Sequence, residues 1–136
     1  MSKNLFGNPA IYFDVDETLV LWQGKNGQST NPNAKKFHLY GSDYNLDIHW
    51  KHVELLKEFK QQGYKIIVWS AGGELWAQEV INVLQLNEFV DHCLSKPEFF
   101  VDDKFPEQFM YRQNRIYYPP EVKDSIIPLK KVSDND

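Results

Sequence analysis

Cysteine is almost missing from this chain. Cys93 is the only one among 136 residues, so no intrachain disulfide can staple the fold, and a reducing compartment is expected. Long hydrophobic runs are missing too. No apolar stretch approaches the roughly 20 residues that a membrane helix needs, and the N-terminal stretch lacks the apolar core of a signal peptide. The expectation is a cytoplasmic protein with no membrane partner. Positive charge is not in excess either. A net charge of −4 argues against a general nucleic-acid footprint, although a local basic groove stays open. There are no internal repeats, zinc-spaced cysteines or low-complexity tracts. What the chain does have is apolar and aromatic surface, with nine Phe, seven Tyr and four Trp, 42% hydrophobic residues and 25% charged. At this length that suits a single domain, residues 1–136, with a core of its own.

Strand-like and helix-like segments alternate along the sequence. Short apolar, β-branched or aromatic runs predict strands at 10–13, 65–69, 91–94, 99–101 and 115–118. Helical spacing predicts a helix over 48–62, with Asp47 as N-cap and Gly63 as stop, a second over 74–86, and a short one after Pro106. Such alternation implies an α/β fold: a three-layer, Rossmann-like domain around a mostly parallel five-stranded sheet. One stretch interrupts it. Residues 20–50 carry Gly24, Gly27, Asn31 and Pro32, then a candidate hairpin of 36–40 and 44–48 around Gly41-Ser42-Asp43. A long insert after the first strand is a candidate flap. The tail from 121 to 136 mixes charges and closes on Ser-Asp-Asn-Asp, so its end is expected to fray.

The acidic group Asp14-Val15-Asp16-Glu17-Thr18 directly follows the first apolar run, Ala10-Ile11-Tyr12-Phe13. Open α/β sheets bind ligands at the carboxyl ends of their strands, which is where these carboxylates would sit. One carboxylate there can attack a substrate and a second can carry a proton. Alone, such a pair is more often an acidic loop or a helix cap. Three further elements occur in order: Ser70 after the second predicted strand, Lys96 before the fourth, and Asp102-Asp103 after it.

Together these four elements resemble the motifs of the haloacid dehalogenase superfamily, most of whose members are phosphohydrolases. The resemblance spans roughly residues 10–118. It implies Asp14 as nucleophile, Asp16 as acid and base, and Thr18 as the residue fixing the turn. Ser70 and the amides of Ala71 and Gly72 would hold phosphoryl oxygens, and Lys96 would pair with Asp14 and the phosphoryl group. It also implies Mg²⁺, bound by Asp14, by the backbone carbonyl of Asp16, and by Asp102 or Asp103. An acidic residue at position 16 goes, in this superfamily, with phosphatases and phosphomutases. Neither insertion point holds a cap domain, so an open site is expected, of a kind suited to a phosphorylated small molecule, a nucleotide or a nucleic-acid end. Lys25, Lys35, Lys36 and His38 of the insert are candidate contacts for such a substrate.

Two other readings stand beside hydrolysis: a module that binds phosphate without turnover, and a phosphotransferase to an alcohol. His49 and His52, three residues apart, are expected on a helix surface or interface rather than around a metal. Cys93 reads as an inert core thiol. The sequence does not speak to oligomeric state.

Overall fold

The computed structural model describes residues 7–110 and 115–120. The backbone divides into two units, Met1–Lys96 and Pro97–Asp136.

In the first unit, β1 (Ala10–Asp14), β5 (Lys65–Ser70) and β6 (His92–Ser95) form a parallel sheet in the order β1-β5-β6. The ladder pairs Asp14 with Trp69, and Ser70 with Ser95. Between these strands run α1 (Trp50–Gln61) and α2 (Glu74–Val83). Both crossovers step the same way across the sheet, and right-handed connections of that kind leave both helices on one face. The core agrees. Phe13, Ile66 and Val68 share one buried cluster with Val53 and Leu56 of α1 and with Trp76, Ala77, Val80 and Ile81 of α2. Side chains of the alternate register point the other way, where Tyr12 packs on Trp69 at 4.6 Å between ring centroids. The described part of this unit is thus a sheet with helices on one side.

The insert builds a second sheet. β2 (Val20–Leu21), β3 (Lys35–Leu39) and β4 (Ser42–Ile48) lie antiparallel in the order β2-β4-β3. The hairpin turns at Tyr40-Gly41, both left-handed with φ of 51° and 79°, as a two-residue turn requires. The turn therefore falls earlier than Gly41-Ser42-Asp43. Nor is this hairpin a loose flap: Phe37 and Leu46 are fully buried, and the His38 amide donates to Glu79 of α2 at 2.9 Å.

Several expected boundaries move. Asp47 belongs to β4 and accepts the Ser29 hydroxyl at 2.9 Å, so it does not cap α1. His49 is the N-cap, its ring accepting the His52 amide at 3.4 Å. Gly63, at φ 93°, ends the helix as expected. α2 stops at Val83, three residues short of the predicted end.

The parallel sheet has three strands among the described residues, not five. Residues 99–101 and 115–118 are not in strands. Their β-propensity is not in doubt, but propensity becomes a strand only where a neighbour completes the ladder. Pro97 and Pro119-Pro120 also remove donors beside each run. In the second unit α3 (Pro106–Phe109) starts on proline, and the Gln108 side chain accepts the Phe105 amide at 2.8 Å. The tail 121–136 lies outside the described residues. Among the described residues, no helix is long and apolar enough to cross a membrane.

Candidate active site

Parallel pairing in register brings three motif residues to one edge. Asp14 ends β1, Ser70 ends β5, and Lys96 follows β6, its amide donating to the Ser70 carbonyl at 2.8 Å. Adjacent strands lie about 4.8 Å apart, so side chains at these ends can meet. Lys96 Nζ stands 3.7 Å from Asp14 Oδ1, and Thr18 Oγ1 donates to Asp14 Oδ2 at 3.3 Å.

The turn after β1 is wound tightly around one carbonyl. Val15 O accepts the amides of Thr18, Leu19 and Val20, at 3.2, 2.8 and 3.1 Å. The turn also holds Glu17 at φ 63°, a left-handed backbone that a non-glycine residue adopts at a cost of roughly 1 kcal/mol. The turn is further held from α1 and its N-cap. His52 Nδ1 donates to the Thr18 carbonyl at 2.8 Å, and the His49 amide to the Leu19 carbonyl at 2.9 Å. The two imidazoles stack at 3.7 Å, nearly parallel, and both are buried, so the expected surface placement of this pair is corrected. Burial lowers the His52 pKa to about 4, against the raising effect of the Thr18 carbonyl and helped by His49. His52 is thus neutral near pH 7, with its proton on Nδ1 because a carbonyl can only accept.

Asp16 is held by three donors from three elements. Trp22 Nε1, just past β2, donates to Oδ1 at 2.8 Å, and Trp76 Nε1 of α2 donates to the same oxygen at 3.0 Å. Ser70 Oγ donates to Oδ2 at 3.2 Å. The two indoles are 6.2 Å apart, and Tyr44 packs edge-on against both. Sequence reasoning missed this clamp. The one available signal was that buried tryptophans need an acceptor for the indole N–H.

Ser70 is fully buried and accepts the Gly72 amide at 2.9 Å. The Gly73 amide goes to the Ser70 carbonyl and the Glu74 amide to Ser95 Oγ. Among the described residues that leaves the Ala71 amide as the donor of this turn with no protein acceptor. Glycine suits position 72 because a Cβ there would come within 3.2 Å of Trp76 and 3.3 Å of Ser70 Oγ.

Asp102 and Asp103 belong to the second unit, where Asp102 accepts the Lys104 amide at 3.0 Å and Asp103 lies 3.6 Å from Lys104 Nζ. His38 is hydrogen-bonded to Asp43, whose pKa that bond lowers. Cys93 is half-buried, and burial raises its thiol pKa, as an inert thiol requires.

Among the described residues, no three His, Cys, Asp or Glu side chains converge as a metal cluster. Asp14 nevertheless offers a half-buried carboxylate whose Oδ1 faces Lys96 beyond hydrogen-bond reach. Hard oxygen donors of this kind suit Mg²⁺, which takes one or two carboxylates and keeps water or phosphate oxygens for the rest. The Asp16 carboxylate, by contrast, has Oδ1 filled by two indoles and Oδ2 engaged by Ser70, so its contribution to a cation would come from the main-chain carbonyl.

The sequence profile of the NLI interacting factor-like phosphatase family matches residues 9–114. That is most of the chain, and the protein belongs to this family, a branch of the haloacid dehalogenase-like phosphatases. Neither the curated proteins nor the solved structures give a significant match.

Proposed function

We propose that this phosphatase-family protein is a Mg²⁺-dependent phosphomonoester hydrolase that works through a phosphoryl-Asp14 intermediate. The observation that carries the reading is the pairing of Asp14 with Lys96 at the carboxyl edge of the sheet, two residues before an independently held Asp16.

In the first half-reaction an Asp14 oxygen attacks phosphorus and the bond to the leaving oxygen breaks, with Asp16 giving that oxygen its proton. In the second, Asp16 takes a proton from water as the water attacks phosphorus, and phosphate departs to restore the Asp14 carboxylate. The Ala71 amide supplies a donor for a phosphoryl oxygen, Ser70 lends its one hydroxyl proton to Asp16 Oδ2, and Lys96 offsets the charge that builds on the phosphoryl oxygens. Gly72 serves the same turn by giving it room. Thr18 holds the second Asp14 oxygen, which orients the first. Mg²⁺ would be held by Asp14 and the Asp16 carbonyl, and when bound it offsets repulsion between carboxylate and phosphate. The Asp102-Asp103 pair is the candidate for a further carboxylate, on the strength of its place in the motif order.

Among the described residues neither insertion point holds a cap domain, and the substrate class that fits is a phosphorylated small molecule, a nucleotide or a nucleic-acid end. The lysines of the insert, Lys25, Lys35 and Lys36, are all exposed. Phosphate release from an aryl phosphate, a nucleotide and an oligonucleotide panel tests the reading. It predicts release with Mg²⁺ that stops in Asp14→Asn while that variant stays folded. Equal release by the variant would sink the nucleophile assignment.

A further inference from the structure

We propose that Trp22 and Trp76 are positioning residues for the reaction, fixing the Asp16 carboxylate so that one defined oxygen faces the leaving group. The inference rests on the reading of Asp16 as acid and base. Two indole N–H groups, at 2.8 and 3.0 Å, meet on Oδ1. A carboxylate oxygen has two lone pairs in its plane, so Oδ1 is filled by donors that can never accept a proton. Among the described residues, Oδ2 meets only the Ser70 hydroxyl, at 3.2 Å, and a hydroxyl can donate or accept. Oδ2 is therefore the oxygen that exchanges a proton with the substrate. When Oδ2–H gives its proton to the leaving oxygen, the P–O bond breaks and Asp16 becomes the carboxylate. The Ser70 hydroxyl then turns to donate to Oδ2, while its acceptor bond from the Gly72 amide, at 2.9 Å, stays in place.

The two indoles are themselves held. Trp76 is buried against Phe37 at 5.8 Å between ring centroids. Trp22 is held from both ends. Its own amide donates to Glu17 at 2.9 Å, and Gly27 closes on its ring so tightly that a Cβ would come within 2.7 Å. One tryptophan comes from the main helix layer and the other from the insert, so the insert takes part in orienting the acid.

The test uses kcat/KM for two substrates that differ in their need for a proton. Nitrophenyl phosphate releases a stable anion, whereas an alkyl phosphate releases an oxygen that must be protonated. Trp22→Phe and Trp76→Phe keep an aromatic ring and lose the N–H. Each is expected to lose about ten- to a hundredfold on the alkyl phosphate, and severalfold at most on the nitrophenyl ester. Equal losses on both substrates, or none, overturn the proposal. Asp16→Asn run beside them separates the two levels. If it shows the same leaving-group pattern more strongly while the tryptophan variants do not, the role of Asp16 stands and the positioning role is wrong. If Asp16→Asn turns over the alkyl phosphate normally, both fall.

A second measurement does not need the tryptophan variants to fold. In the ¹⁵N–¹H spectrum, Asp16→Ala is expected to move the indole resonances of Trp22 and Trp76 and leave those of Trp50 and Trp69. Unmoved Trp22 and Trp76 resonances overturn the proposal.

Discussion

Lys96 Nζ faces Asp14 Oδ1 at 3.7 Å across the carboxyl edge of the sheet. The distance follows from two ladders, since β1 and β6 both pair with β5 and the Lys96 amide is tied to the Ser70 carbonyl at 2.8 Å. A contact that long between half-exposed groups adds little stability. In the proposed reaction it puts a cation where negative charge builds during phosphoryl transfer.

Lys96→Met is accordingly expected to lower kcat/KM by about a hundred- to a thousandfold, with a melting temperature near that of the parent. Steady-state kinetics beside a thermal melt check it. A large drop in melting temperature with unchanged kinetics would make Lys96 a structural residue.

His52 gives the fold a dependence on pH. Its pKa falls from 6.5 to about 4 on folding, chiefly through burial. Between those values the unfolded chain binds the extra proton, so stability is fully present above pH 6.5 and drains away as pH falls toward 4. The full loss is ~3 kcal/mol. His52→Asn keeps a donor for the Thr18 carbonyl and cannot take up the proton, so its stability should stay flat across that window in urea titrations. Asp91 acts lower. Burial pushes its pKa up, but the Ile66 amide and Lys60 outweigh that and leave it below 3.8, so its contribution is lost only in stronger acid. A parent protein with no loss of stability between pH 6.5 and 4.5 would contradict the His52 account.

Gly27 lies away from Asp14 yet controls Trp22. It sits at φ 70°, and a Cβ there would approach the Trp22 ring to 2.7 Å. Gly27→Ala is expected to destabilise by ~1–2 kcal/mol and to lower turnover by displacing an indole from Asp16. Thermal melts and kinetics together decide. Parent-like kinetics in this variant would mean that Trp22 reaches Asp16 by some other route.

Much of this site was legible because its residues stand at ends of elements. An apolar run followed by Asp14, and another followed by Ser70, announce strand ends, and parallel pairing does the rest. The second unit was less legible, since residues 99–101 and 115–118 have strand composition without a ladder. Composition does not report whether a neighbour is there to pair. Asp47 looked like a helix cap, but β4 extends through it to Ile48, and the cap moved to His49. The clamp on Asp16 joins residues 6, 54 and 60 positions away in sequence. No local pattern encodes contacts of that kind, which exist only once the insert has packed on α2.

The proposed function turns on a covalent phosphoryl-Asp14. The most direct measurement is the intact mass of the protein quenched in acid during turnover of an aryl phosphate with Mg²⁺, followed by peptide mapping. The account predicts a mass gain of one phosphoryl group, located on Asp14, that is missing in Asp14→Asn and accumulates in Asp16→Asn if that variant still phosphorylates. Phosphate release without any such adduct, or an adduct on another residue, would contradict it.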